Sequence, residues 1–138
     1  MDDRADPFDL ARFVEAQAGG VYETALDELE AGCKQTHWMW FILPQHRDLG
    51  RSSMASHYGL SGVDEAAAYA AHPLLGPRLR ACIAAVRRHL AAGRSTQDVL
   101  GGIDALKYAS CLEIFAAAVP GEPLFGTMSE AQGSPSTP

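Results

Sequence analysis

The sequence predicts an all-α fold: a single multihelical domain of about six helices around a buried aromatic helix. Three observations point there. Apolar residues recur every three to four positions in one segment after another. Capping residues open those segments and glycines close them. No two stretches alternate apolar and polar residues so as to pair as strands. With 138 residues, 47% hydrophobic and 20% charged, the chain is long enough for one real core.

The elements follow in order. Asp6-Pro7 opens the first helix, with aspartate as cap and proline at the first helical position. Leu10, Phe13, Val14 and Gln17 then lie on one face, and Gly19-Gly20 breaks the run. Val21, Tyr22, Ala25, Leu26 and Leu29 form the next stripe, stopped by Gly32. The segment HWMWFIL, His37 to Leu43, is the most aromatic part of the chain. Thr36 caps it and Pro44 ends it. Tryptophan, phenylalanine and isoleucine also favour strands, but no second strand offers itself as a partner. A helix apolar on all sides implies burial among other helices.

His46 to Ser61 reads as a loop with one turn. Ser61 with Asp64 makes a box-like cap for an alanine-rich helix to Ala71. His72-Pro73 restarts the chain. Leu75, Leu79, Cys82, Ile83, Val86 and Leu90 mark a long helix ended by Gly93. Ser95 with Asp98 caps a short helix, Gly101-Gly102 turns the chain, and Asp104 to Val119 is the last strong helix. The helical domain is therefore expected over residues 6–120, and 121–138 as an irregular tail whose end, SEAQGSPSTP, has a disordered composition.

Composition restricts function. The net charge of −6 argues against a general nucleic-acid binder, which shows a basic face. No apolar run reaches the roughly 18 residues that span a bilayer, and the acidic start, MDDRADPFD, is unlike a secretory leader. A cytoplasmic protein without membrane contact is expected. The three cysteines, Cys33, Cys82 and Cys111, form no CxxC pair. Cys82 and Cys111 fall on apolar helical faces and read as reduced core residues. The five histidines show neither HxH nor HxxxH spacing, so no metal site and no cofactor are expected.

The chemistry that remains is local, and each candidate reads two ways. His37 can bond a ligand or transfer a proton, or be satisfied by a main-chain carbonyl. Trp38 and Trp40 can stack a ring or fill the core. Gln45 can read a ligand edge or bond a nearby turn. Gly50-Arg51-Ser52-Ser53 suits an anion, and is also ordinary surface-loop chemistry. His57-Tyr58 lies nearby. Lys107 can form a surface ion pair with Asp104 at i,i+3 or sit half-buried beside Ser110.

The pieces DLARFVEAQ, VYETALDEL, HWMWFILPQ, LGRSSMASHYGL, EAAAYAAHPLLGPRLRAC and LKYASCLEIFAA together resemble an uncharacterised bacterial family. It is a small all-helical domain of unknown function, sometimes labelled "calpastatin", and the likeness covers about residues 8–119. It implies a multihelical fold without an established activity. The family's last helix usually reads Lys-x-basic-Ser-Ser-x-Thr-Leu-Phe. Lys107 and Ser110 match, whereas Ala109, Cys111 and Glu113 replace the basic residue, the second serine and the threonine. A fainter likeness links the chain to another helical family, proposed to act on NAD or ADP-ribose derivatives.

Two function classes fit. One is a pocket for a small anionic, nucleotide-like or ADP-ribose-like ligand, with N-glycoside hydrolysis as its enzymatic form. Trp38, Trp40, Gln45, Arg51, Ser52, Tyr58, Lys107 and Ser110 would bind, and His37, Asp104 and Glu113 are the acid–base candidates. The other is a non-catalytic interaction or dimerisation module presenting the alanine-rich helix.

Overall fold

A computed structural model describes residues 6–126. Within them the chain forms eight helices: α1 Ala11–Ala16, α2 Val21–Ala31, α3 Met39–Ile42, α4 Ser53–Tyr58, α5 Val63–Ala71, α6 Leu75–Ala91, α7 Thr96–Leu100 and α8 Gly102–Ala118. Two 3-10 turns, Arg47–Leu49 and Pro123–Phe125, complete the set. The described residues contain no strand, and their one bridge pairs His46 with Leu60. The fold is all-α, as expected, with more and shorter helices than six.

The core is continuous. Helix α5 packs on both α6 and α8, and α2 lies along α6. Phe13, Leu29, Tyr69, Leu75, Ile83 and Phe115 are among the fully buried side chains. Cys82 and Cys111 are buried there too. Burial pushes the Cys82 thiol up to about 12 and raises that of Cys111 as well, which leaves both unreactive. Cys33 is exposed.

Several ends differ from the sequence reading for definable reasons. Asp6 does cap, but at a distance: its carboxylate accepts from Leu10 N at 2.6 Å and Ala11 N at 3.0 Å, so the helix opens at Ala11 and Pro7 lies in the preceding turn. Ser61 does not cap α5. Its own N–H donates to Glu65 Oε1 at 2.8 Å, and the helix starts after Gly62. The Ser95–Asp98 capping box forms as read. Gly32 ends α2 in the left-handed conformation, φ 77°, the role that glycine fills best.

The alanine-rich helix is not a free face. Ala66, Tyr69 and Ala70 of α5 are buried within this chain, against α6 and α8. The compact part also passes residue 120, where the sequence placed the domain boundary. Phe125 is fully buried. Arg80 holds Glu122 by two bonds of 2.7 and 2.8 Å, and Arg87 donates to the carbonyl of Gly126 at 3.0 Å. The SEAQGSPSTP segment lies outside the described residues. No helix among the described residues is long and apolar enough to cross a membrane.

Candidate functional site

The aromatic segment makes one helical turn, α3, shorter than the sequence suggested. Trp38 stands at its N-cap with no side-chain cap, because the Thr36 hydroxyl is engaged elsewhere, donating to Glu28 at 2.7 Å. Met39, Phe41, Ile42 and Leu43 are buried. Gln17 fixes the turn from below: its Nε2 donates to the carbonyl of Phe41 at 2.8 Å and to the hydroxyl of Tyr69 at 3.1 Å. Only Trp40 of this stretch is part-exposed.

Trp38 belongs to the core and offers no ligand wall. It is 2% exposed. Its indole Nε1 donates to Glu28 at 2.9 Å, and the Lys34 ammonium lies 4.8 Å from its ring centroid. Glu28 also accepts from the N–H groups of Gln35 and Thr36. Burial alone would raise its carboxyl, but these hydrogen bonds outweigh it and bring the group down to about 2.

After Pro44 the chain leaves the core and makes a closed loop. Arg47 N donates to Leu60 O and Leu60 N to Gln45 O, both at 2.9 Å. The loop's two limbs meet at Gly59, where a Cβ would come within 2.2 Å of the Arg47 main chain, so only glycine permits the approach. Arg12 pins the returning limb. Its Nε donates to His57 O at 2.7 Å and its Nη2 to Gly59 O at 3.2 Å. The same Nη2 pairs with the buried Glu65 carboxylate at 2.8 Å.

This loop and α8 enclose a cleft of about 220 Å³. Trp40, Gln45, Arg51, Ser52 and Lys107 line it together, with His46 and Leu49. Five of the residues singled out in the sequence thus converge from three separate elements. The Lys107 ammonium sits over Trp40, 5.0 Å from the ring centroid. That indole face is therefore a seat for the cation rather than a bare stacking floor. Gln45 is buried, and its Nε2 donates to the carbonyls of Met39 and Leu43; what it can offer a ligand is an acceptor oxygen. Ser52 caps α4, accepting from Ala55 N at 3.1 Å. The His46 Nδ1 accepts from Asp48 N at 3.0 Å, so the neutral ring carries its proton on Nε2.

No Asp or Glu is among the residues lining this cleft, although the chain contains 17 of them. Lys107 does face Asp104, with Nζ 3.8 Å from Oδ1, and the i,i+3 pair is present as well as the half-buried position. Asp104 is committed more closely to Lys34, at 2.8 Å from Oδ2.

The remaining candidates lie apart. Tyr58 is half-buried against Phe41 and Phe13, with ring centroids 5.2 and 5.9 Å away, and does not line the cleft. Ser110 and Glu113 border a more open depression with His46, Leu49 and Ile114. His37 is exposed beside a second cleft, where Asp104 also lies. Of the three acid–base candidates, His37 and Asp104 thus share one cleft and Glu113 lies at another. Cys111 faces the core, and Ala109 is exposed, so neither departure from the family pattern alters the cleft lining. Among the described residues no three His, Cys, Asp or Glu side chains group as metal ligands.

Four contributors carry no clear signal in the sequence: Lys34, Glu28, Arg12 and His46. The partners of Glu28 are seven to ten positions away, and Lys34 pairs with Asp104 on a different helix. Arg12 has Asp9 and Glu15 at i−3 and i+3, and these local carboxylates hide its true partner, the distant Glu65. His46 was seen merely as a histidine without metal spacing.

Comparison with known proteins gives two matches. The fold matches the crystal structure of the conserved hypothetical protein Rv1873 from Mycobacterium tuberculosis with a TM-score of 0.82 and 48% identity, over 87% of this chain and 84% of that one. No curated protein matches. A family model described as "Protein of unknown function (DUF1810)" matches residues 7–133, and the chain belongs to that family.

Proposed function

We propose that the cleft between the 46–60 loop and α8 binds a small anionic ligand. The observation that carries this reading is its lining: Arg51 and Lys107 with no carboxylate, in a chain of net charge −6. Cations gathered in a concavity with low-dielectric walls concentrate an anion locally even when the whole molecule is negative. Arg51 supplies a planar fork suited to phosphate or carboxylate. Lys107 is steadied by Trp40. Nucleotide-like and ADP-ribose-like compounds are members of this ligand class. The reading is confined to binding, since two flanking carboxylates are what glycoside hydrolysis ordinarily uses and this lining has none.

Titration with inorganic phosphate and with AMP, followed by NMR at the two indole N–H signals, tests the proposal. Trp40 is expected to shift and Trp38, bonded to Glu28, to stay. Arg51→Ala should weaken binding at least tenfold with an unchanged melting temperature. No shift at Trp40 with either compound would defeat it.

A second reading has its own support. Ile103 and Leu106 are 73% and 71% exposed and lie one turn apart on α8, where i,i+3 side chains are neighbours. They suit contact with an apolar surface of another protein. If so, Ile103→Ser with Leu106→Ser should abolish self-association or partner capture and leave phosphate binding intact.

A further inference from the structure

We infer that the ligand has two covalently joined parts, an anionic group in the first cleft and a neutral, hydroxyl-bearing group such as a sugar in the cleft beside it. This rests on the anion-binding reading above and adds a second site to it.

Size comes first. A cleft of about 220 Å³ is smaller than the roughly 300 to 1,000 Å³ of most small-molecule sites. It holds an anionic group with little attached. The second cleft, about 410 Å³, lies across Trp40 and Lys107, which line both. A ligand anchored at Arg51 and Lys107 therefore lies next to a larger space, with the Lys107–Trp40 pair at the border.

The two clefts differ in charge. In the second, Lys34 faces Asp104 at 2.8 Å and donates to the carbonyl of Thr36 at 2.6 Å, so its charge is already matched. Asp104 keeps Oδ1, which faces the Lys107 ammonium at 3.8 Å, beyond hydrogen-bond length. That oxygen is an acceptor with room for a hydroxyl donor. Met39, Leu100 and Ile103 supply an apolar lining suited to the carbon face of a sugar. An anion is disfavoured beside Asp104 and favoured beside Arg51. A phosphate ester of a sugar meets both conditions, in one orientation.

Gly102 gives a clean way to block the second cleft. It lines that cleft and not the first. A Cβ there meets nothing within 4 Å, and its φ lies outside the left-handed region. Binding of inorganic phosphate, ribose and ribose 5-phosphate should be measured by calorimetry on the full chain. Ribose 5-phosphate is expected to bind at least tenfold tighter than phosphate. Gly102→Leu should erase that advantage and leave phosphate affinity as it was. Asp104→Asn should reduce it, and if loss of the Lys34 counter-charge unfolds that variant, Gly102→Leu still decides. Equal affinities for the two phosphates, or an advantage that survives Gly102→Leu, would overturn the inference while phosphate binding sensitive to Arg51→Ala keeps the anion reading. Absence of binding by either phosphate compound would overturn both.

Discussion

Trp38 and Trp40 stand two residues apart, and each carries a lysine ammonium over its ring, at 4.8 and 5.0 Å. Both lysines turn to the same carboxylate, Asp104. The surroundings make the two pairs different. Lys34 is sealed, with 6% of its side chain exposed, whereas Lys107 keeps 24%. Glu28 closes the first pair by binding the Trp38 indole. The second pair has no such closure and opens on the cleft. The same local chemistry thus serves as a structural clasp where its polar atoms are all engaged, and as a candidate binding group where one ammonium is left under-committed.

Substitutions can break this contrast in order of expected size. Trp38→Ala should cost roughly 3 to 5 kcal/mol, as for a fully buried large side chain. Trp40→Ala should cost about 1 to 2 kcal/mol, because the ring is part-exposed, and should also weaken phosphate binding by unseating Lys107. Urea denaturation of both variants measures the gap, and equal losses would erase the distinction. Next, Glu28→Gln should cost about 1 kcal/mol at neutral pH, a partly exposed charged hydrogen-bond network.

Glu28 also predicts a pH dependence with a definite sign. Its carboxyl is held at about 2, against an ordinary 4.5. The stability it contributes is therefore fully present above about pH 4.5 and disappears as the pH falls toward about 2. Melting temperatures of the wild type and Glu28→Gln should converge across that acid window. The smallest effect belongs to Lys107→Met, expected within about 0.5 kcal/mol of the wild type in thermal denaturation. A large loss would mean that the Trp40 pair is a clasp like its neighbour.

The helices were legible in the sequence because a stripe of apolar residues such as Leu75, Leu79, Val86 and Leu90 has a period that nothing else produces. Helix starts were less so. Asp6 and Ser61 both bond the main chain near a helix, and local sequence does not say at which offset. For the site, Gln45, Arg51 and Lys107 could be named because polar groups next to buried segments stay near the core. Their depth could not be read, nor could the difference between Trp38 and Trp40. That difference depends on Glu28, which bonds the turn after α2, and on Lys34, which reaches Asp104 at the start of α8.

Arg12 reaches the carbonyls of Phe8 and Asp9 on its own side and those of His57 and Gly59 on the loop, with Glu65 as counter-charge. One guanidinium therefore belongs to three pieces of chain at once. Freeing the loop takes two carbonyl acceptors from Arg12 and uncovers its ion pair with Glu65, so the loop has no inexpensive partial opening of its own. The rim of the cleft and the first helix then unfold as one cooperative unit, and any ligand that steadies the loop also lowers the rate at which the amides of α1 exchange with solvent.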